Sequence, residues 1–173
     1  METVKRKKSP SKSKGNRGER EICMFLSETL GGSFVRVPNS GAFIGGKNSF
    51  RKMSLSNTQQ ILSKGDIIPP DNLPKLVIES KNYKDFSFHQ LICDGDCKQL
   101  DEWIEQTVCV CDDSDVWFTI FKINNKSTYI VFDCRLVEKF IMPTNYVNYK
   151  TFIITEMKPF VVKNKENIIT ICS

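Results

Sequence analysis

Two carboxylates and a lysine lie on two short apolar segments that flank a turn. The first segment contains Asp66, and the second, residues 76–81, contains Glu79 and Lys81. The intervening Pro-Pro-Asp-Asn at 69–72 is a strong turn signal, so the two segments are predicted to form a β-hairpin. Side chains alternate faces along a strand, which puts Glu79 and Lys81 on the same face.

The symmetry of this hairpin determines which acidic residue faces Glu79. A hairpin centred on Asn72 and Leu73 makes Asp66 and Glu79 cross-strand partners, with Cβ atoms roughly 5 Å apart. Like charges in this position destabilise a sheet, and a divalent cation between them removes that cost. Mg²⁺ suits a site of one or two carboxylates, waters and a phosphate oxygen. The hairpin therefore predicts a binding site for Mg²⁺ or Mn²⁺.

A third acidic residue lies at the start of a predicted helix over residues 19–30. Apolar residues at 22, 25, 26 and 30 form one stripe of this helix. Glu19 shares that inward stripe, whereas Glu21, about 200° round the helix, is expected to face solvent. The alternative role for Glu19 is that of an N-terminal acid that complements the helix dipole.

Taken in order and spacing, these pieces resemble the archaeal-type Holliday junction resolvases of the PD-(D/E)XK nuclease superfamily. The resemblance covers about residues 14–133. The size of the chain, its low histidine content and an insertion in it suit a phage or viral member. The matching motifs are Lys14-Gly15-x-x-x-Glu19-Arg20-Glu21, Val35-Arg36-x-x-x-Ser40-Gly41, Asp66-Ile67-Ile68 and Val77-Ile78-Glu79-Ser80-Lys81.

The resemblance implies a catalytic set for hydrolysis of DNA assisted by Mg²⁺ or Mn²⁺. Glu19, Asp66 and Glu79 would be the metal-site acids, and the backbone carbonyl of Ser80 would be a further ligand. Lys81 would position or activate the attacking water. These roles are expectations carried over from the family.

The same comparison suggests residues that contact DNA. Ser40 would lie near the scissile phosphate or the junction and is included among the candidate catalytic residues. Gln99 resembles a glutamine that some superfamily members place near the metal site, although an exposed helical glutamine is the alternative. The candidate basic DNA contacts are Lys14, Arg17, Arg20 and Arg36.

A second alignment of the signature competes with the first. Pro70-Asp71, followed by seven residues and then Glu79-Ser80-Lys81, spells the superfamily motif literally. Asp71 lies within the turn signal, where an aspartate ordinarily caps its own backbone. Asp66 lies on the predicted strand, at the spacing of the resolvases, and is therefore the preferred acid.

The elements that must position these residues predict an α/β fold. A helix comes first and is followed by a strand-rich centre that helices interrupt, which fits a mixed central sheet flanked by helices, as in restriction endonucleases. The remaining predicted strands are 34–37, 116–123, 128–132, 151–154, 160–162 and 168–171. The remaining predicted helices are 96–106 and 135–141.

Charge divides the chain into an arm and one domain. Residues 1–20 hold eight Lys/Arg against two Glu, whereas the rest of the chain nets to −1. Residues 1–15 are therefore predicted to be a disordered basic arm that attracts phosphate, or alternatively a solvated tail. Residues 16–173 would form one nuclease domain, in which 41–64 is an inserted loop and 134–173 a C-terminal extension.

Composition also restricts the location and the chemistry. No apolar run reaches the ~20 residues of a membrane span, so a soluble intracellular protein without membrane partners is expected. Seven irregularly spaced cysteines favour reduced thiols, although the pairs Cys93/Cys97 and Cys109/Cys111 could be zinc half-sites. The single histidine, His89, leaves hydrolytic triads without an obvious base.

The expected activity is resolution of four-way DNA junctions. Cutting both strands of a symmetric junction requires two active sites, so the function implies a C2 homodimer. The alternatives are a restriction-like, homing or repair endonuclease on the same fold, or a non-catalytic DNA-binding or packaging subunit. Retention of Glu19, Asp66, Glu79 and Lys81 argues against the non-catalytic alternative.

Overall fold

The computed structural model describes residues 10–37, 64–93 and 95–173. These residues form seven strands, five α-helices and one 3-10 helix. The strands are β1 (Val35–Arg36), β2 (Ile67–Ile68), β3 (Leu76–Tyr83), β4 (Val116–Ile123), β5 (Thr128–Asp133), β6 (Tyr146–Tyr149) and β7 (Phe152–Glu156). The helices are α1 (Pro10–Leu30), α2 (Phe88–Cys93), α3 (Lys98–Val108), the 3-10 helix (Cys134–Lys139), α4 (Met157–Lys163) and α5 (Lys165–Cys172).

All seven strands belong to one mixed sheet with helices on both faces. The strand order is β1-β2-β3-β4-β5-β7-β6, and only the pair β3 and β4 is parallel among the described strands. One face packs against α1, α4 and α5, and the other packs against α3. The prediction of an α/β fold with a mixed sheet between helices is confirmed.

The hairpin that carries the acidic residues has the predicted register. Ile67 pairs with Ile78 in antiparallel orientation, which is the pairing expected of a hairpin symmetric about Asn72 and Leu73. Leu73 is fully buried beneath the turn and its amide donates to the carbonyl of Pro70 at 2.9 Å. The proline-rich turn and a buried leucine therefore set the alignment of β2 with β3.

Strand β3 is held on its other edge by parallel β4. Eight residue pairs run from Leu76 opposite Val116 to Tyr83 opposite Ile123. Parallel strands need a long crossover, and helices α2 and α3 supply it. Sequence reasoning gave α3 as residues 96–106, close to the observed bounds, and did not predict α2.

Helix α1 starts earlier than predicted. The prediction began at residue 19, but the helix begins at Pro10, so the last six residues of the predicted disordered arm are helical. Proline at a helix start is favoured, because its missing N–H is not needed there. Ile22, Leu26 and Leu30 are buried on the predicted inward stripe. Residues 1–9 lie outside the described residues.

Two C-terminal strand predictions are wrong. Residues 160–162 and 168–171 lie in α4 and α5. Their β-branched residues suggested strands. The buried positions instead recur at the three- and four-residue spacing of a helix, and this periodicity favours helices over strands. The buried positions are Met157, Phe160, Val161, Asn164, Ile168 and Cys172.

The C-terminal region also extends the central sheet. Strand β7 pairs with β5 through five residue pairs, and β6, which was not predicted, pairs with β7. Helices α4 and α5 then return to the core beside α1. Residues 134–173 thus complete the same sheet and core. Among the described helices, none has the length and apolar character that crossing a bilayer requires.

Candidate functional site

The predicted acidic residues lie near the point where the chain enters β2, alongside β3. Asp66 immediately precedes β2, Glu79 and Lys81 are the fourth and sixth residues of β3, and Glu19 lies on α1. Burial, and after it the negative charge of Asp66, raise the pKa of both Glu19 and Glu79. Three acidic residues that are far apart in sequence therefore share one electrostatic environment.

Asp66 is fixed by backbone contacts on both sides. Its amide donates to the carbonyl of Ile78 at 2.9 Å, and its own carbonyl accepts from the amide of Val37 at 2.9 Å. Asp66 is only 7% exposed, and its Oδ2 accepts from the amide of Ser80 at 3.0 Å. The carboxylate is therefore held against β3 at the position where the E-x-K motif begins.

Gly65 makes this close approach of the two strands possible. It has φ +70, and a Cβ at this position would lie 2.4 Å from the carbonyl oxygen of Ile78. Any side chain there would push the chain away from β3. A glycine immediately before Asp66 is thus required by contact as well as by conformation.

Glu79 and Lys81 form a largely buried ion pair on one face of β3. Their side chains are 15% and 14% exposed, and Lys81 Nζ lies 2.6 Å from Glu79 Oε1. Burial, and secondarily the charge of Asp66, raise the pKa of Glu79 to about 7, although Lys81 opposes the shift. The negative charge of Glu79 is therefore costly even with the Lys81 ammonium beside it, and a divalent cation would reduce that cost.

Glu19 faces inward, as its position on the helical stripe predicted. Its side chain is 14% exposed, whereas that of Glu21 is 42% exposed and pairs with Lys122. Arg36 Nη1 on β1 lies 3.2 Å from Glu19 Oε2. Burial and the charge of Asp66 raise the pKa of Glu19, and Arg36 partly offsets them.

The structure separates the two candidate aspartates of the signature. Asp71 is exposed in the turn between β2 and β3. Asp66 is buried and bonded to the backbone of the E-x-K segment. The geometry therefore favours Asp66 over Asp71 as the partner of Glu79.

The donor set fits a hard divalent cation. Carboxylate oxygens are the ligands that Mg²⁺ and Mn²⁺ prefer, and clustered buried carboxylates gain most from a bound cation. Within residues 10–37, 64–93 and 95–173, no three His, Cys, Asp or Glu side chains already stand close enough together to hold a metal ion. Lys81 and Arg36 instead neutralise the carboxylates of Glu79 and Glu19.

Comparison with known protein families identifies the group to which this arrangement belongs. A family model described as "Phage putative PDDEXK endonuclease" matches residues 10–171. The chain belongs to this family. No curated protein and no solved structure shows significant similarity to the chain.

Membership places the chain among the PD-(D/E)XK nucleases, a superfamily that generally uses divalent metals. It supports an endonuclease activity. The match extends from the first residue of α1 almost to the end of α5, so it includes the region that was predicted to be an extension.

The predicted DNA contacts of this endonuclease occupy different places around the acidic residues. Arg17 and Arg20 are exposed on α1, and Arg17 pairs with Glu21. Arg20 and Arg36 line a groove of about 510 Å³ between α1 and β1. Lys14 lies in the first half of α1.

The remaining predicted site residues are Gln99, Ser40 and Ser80. Gln99 is partly buried in the first turn of α3, on the face of the sheet that Val77 shares. Ser40 and most of the predicted 41–64 insertion fall outside the described residues, so their predicted roles stay predictions. Ser80 contributes its amide to Asp66, and the predicted use of its carbonyl also stays a prediction.

Sequence reasoning missed a partly buried ion-pair cluster in the chain just before Asp66. Lys64, two residues before Asp66, lies 2.8 Å from Asp112 Oδ2 and 2.6 Å from Asp115 Oδ2. The Lys64 side chain is 11% exposed and that of Asp115 is 6% exposed. These contacts anchor the chain before Asp66 to the loop that precedes β4. The Asp-Asp-Ser-Asp run at 112–115 is the sequence pattern that could have predicted a cationic partner for this loop.

Proposed function

We propose that this endonuclease cleaves branched DNA, and four-way junctions in particular, by hydrolysis that depends on Mg²⁺ or Mn²⁺. The observation that carries the proposal is the placement of buried Asp66 against the Glu79-Ser80-Lys81 segment, with Glu19 in the same electrostatic environment. Family membership supports the nuclease chemistry. The resemblance to junction resolvases supports the choice of substrate.

Asp66 and Glu79 would hold the metal ion, with Glu19 and the carbonyl of Ser80 completing the protein's share of the ligands. The fixed position of Asp66 and the high pKa of Glu79 both suit this role, because a cation stabilises the charged form of a buried carboxyl. When bound, the ion would neutralise charge on the phosphate and make a coordinated water more acidic.

Lys81 would orient the attacking water and stabilise charge on the phosphate. Its ammonium now donates to Glu79 at 2.6 Å, which keeps it beside the acidic residues. A lysine has a flexible stem and three donor hydrogens, so the same group can turn from Glu79 to a water or phosphate oxygen. Arg36, held by Glu19, would provide a second positive charge near the phosphate.

The choice of a junction as substrate rests on shape. Two active sites fixed in a homodimer can reach two phosphates together only when the DNA presents them at the matching separation and angle, as a four-way junction does. In the described residues we find no helix-turn-helix or zinc finger that would read base sequence. The supporting sequence feature is a charge excess confined to the first 20 residues, which favours phosphate contacts without base specificity.

A cleavage assay with matched substrates tests the proposal. Labelled four-way junction and linear duplex of the same sequence are incubated with the protein in Mg²⁺, in Mn²⁺ or in chelator. We expect paired incisions near the crossover, slower cutting of duplex and no cutting in chelator. Equal rates on duplex and junction would leave a general endonuclease of this family, and activity in chelator would refute the metal mechanism.

Two aspartate variants locate the site in the same assay. Asp66→Asn should abolish cleavage and preserve DNA binding, since it removes a charge that repels phosphate. Asp71→Asn, in the exposed turn, should cut normally and serves as the matched control. The opposite pattern would transfer the role to Asp71.

A further inference from the structure

An exposed aromatic residue continues the face that carries the Glu79 and Lys81 side chains. Tyr83 is the last residue of β3, and alternation along the strand puts it on the same face as Glu79 and Lys81. It is 41% exposed. Most other aromatic residues of this face, such as Phe86, Trp103 and Phe121, are buried.

The ring of Tyr83 packs against the buried ring of Trp103. Its centroid lies 4.7 Å from that of Trp103, which is only 3% exposed. Trp103 in turn packs against Phe86 and Phe121 at centroid distances of 5.6 and 5.5 Å. The backbone is fixed as well, because the carbonyl of Tyr83 accepts from the amide of Asn124 at 3.0 Å. Tyr83 is therefore the partly exposed member of a cluster of tilted, packed rings whose other members are buried.

The position of this ring relative to the site suits a nucleotide. Two residues along a strand separate Lys81 from Tyr83 by about 7 Å, a span that one nucleotide can bridge. Lys84 follows and is exposed, so cationic residues lie on both sides of the ring in sequence. An aromatic surface beside basic groups is the combination that binds the bases and phosphates of single-stranded nucleic acid.

We propose that Tyr83 stacks on a base that is unpaired or has lost a stacking neighbour, next to the phosphate that is cleaved. Inside a duplex every base is covered on both faces, whereas a base at an opened crossover or an unpaired base at a flap offers a free face. The tyrosine would thereby favour DNA that is branched or frayed beside the cut. The inference rests on the proposed function, and it adds a residue and a chemical basis for substrate choice.

Three substitutions separate stacking from packing. Tyr83→Leu keeps an apolar group over Trp103 and removes the aromatic surface, whereas Tyr83→Phe keeps the ring. Tyr146→Leu is the matched control, because Tyr146 is 43% exposed on β6, at the opposite edge of the sheet. Thermal unfolding of each variant shows whether the fold is intact.

The direct readout is a fluorescent base. DNA with 2-aminopurine at the unpaired position beside a branch is titrated with protein in chelator, where binding occurs without cleavage. Stacking on a tyrosine quenches the fluorescence, so we expect quenching by the wild type, Tyr83→Phe and Tyr146→Leu, and its loss in Tyr83→Leu. Affinity of Tyr83→Leu for this DNA should fall about tenfold, or about 1.4 kcal/mol, which lies within the range for the stacking of one base on an aromatic side chain.

Cleavage rates then distinguish this inference from the proposed function. Tyr83→Leu should lose its preference for branched DNA and keep its metal-dependent cutting of linear duplex. A folded Tyr83→Leu that quenches and prefers branched DNA as the wild type does would overturn the inference and leave the proposed function standing. A wild type without any preference for branched DNA would overturn the proposed function itself.

Discussion

Replacement of Glu79 by glutamine should change how the stability of the protein depends on pH. The Glu79 side chain is only 15% exposed and lies near Asp66, and its pKa is raised from 4.5 to about 7. The first cause is burial, which disfavours the charged form, and the second is repulsion by Asp66. Lys81 lowers the pKa again, but the net effect is that the folded protein binds the Glu79 proton more tightly than the unfolded chain does.

The direction of the effect follows from linkage. Between pH 4.5 and about 7 the folded state holds a proton that the unfolded chain has released, so this carboxyl makes folding less favourable as the pH rises. Its stabilising contribution is complete below pH 4.5 and is lost above pH 7. The interval between these two pKa values corresponds to about 3 kcal/mol, at about 1.4 kcal/mol per pH unit.

Urea unfolding at several pH values measures this contribution. Wild type and Glu79→Gln are compared from pH 4.5 to 8 in chelator, so that bound divalent ions do not contribute. The free energy of unfolding of the variant, relative to the wild type, should rise by about 3 kcal/mol across this range. All other titrating groups are common to both proteins, so their contributions largely cancel in the difference.

A control variant and a clear negative result make the test decisive. Glu105→Gln removes one carboxylate from the exposed side of α3. Glu105 is not one of the site acids Glu19, Asp66 and Glu79, so this variant should not show the rise. A difference between Glu79→Gln and wild type that stays constant from pH 4.5 to 8 would refute the reasoning that Glu79 is a buried carboxyl coupled to Asp66. Saturating Mg²⁺ should reduce the rise, if the ion lies beside Glu79.

Three further predictions concern stability and DNA binding. Lys64→Met should lower the free energy of unfolding by about 3 kcal/mol, measured in urea, because Asp115, whose side chain is 6% exposed, loses its cation. Tyr149→Phe should cost about 1–3 kcal/mol, since the buried Cys97 amide loses its acceptor, whereas Tyr146→Phe on the surface should cost under about 0.5 kcal/mol. Deleting residues 1–9 should reduce the slope of log K against log salt by about 0.9 for each phosphate that these residues neutralise, and an unchanged slope would exclude the segment from DNA binding.

Local patterns in the sequence were sufficient for the hairpin and its register. Pro69 to Asn72 could only be a turn, and the apolar residues on either side fixed the pairing of Ile67 with Ile78. The same reasoning predicted strands β4 and β5 closely, because β-branched and aromatic residues are concentrated there. The inward position of Glu19 followed from helical periodicity alone. Each of these features depends only on residues that are close in sequence, within one or two helical turns or within adjacent strands.

Where local patterns were ambiguous, tertiary packing decided. Residues 160–162 and 168–171 have β-branched side chains that favour strands, but burial against α1 and the sheet selects helices, in which the buried residues recur every three or four positions. The start of α1 at Pro10 lies in a polar, basic segment where propensity alone predicts disorder.

The chemistry of the site divides in the same way. The residue types Asp66, Glu79 and Lys81 and their spacing were sufficient to predict paired carboxylates, because strand alternation is a local property. The high pKa of Glu79, the bond from the Ser80 amide to Asp66 and the anchoring of Lys64 by residues 112–115 all require chain segments far apart in sequence to meet. Burial and long-range charge arise only from the folded chain, so the sequence by itself determined which groups could react, and the tertiary structure decided their environment.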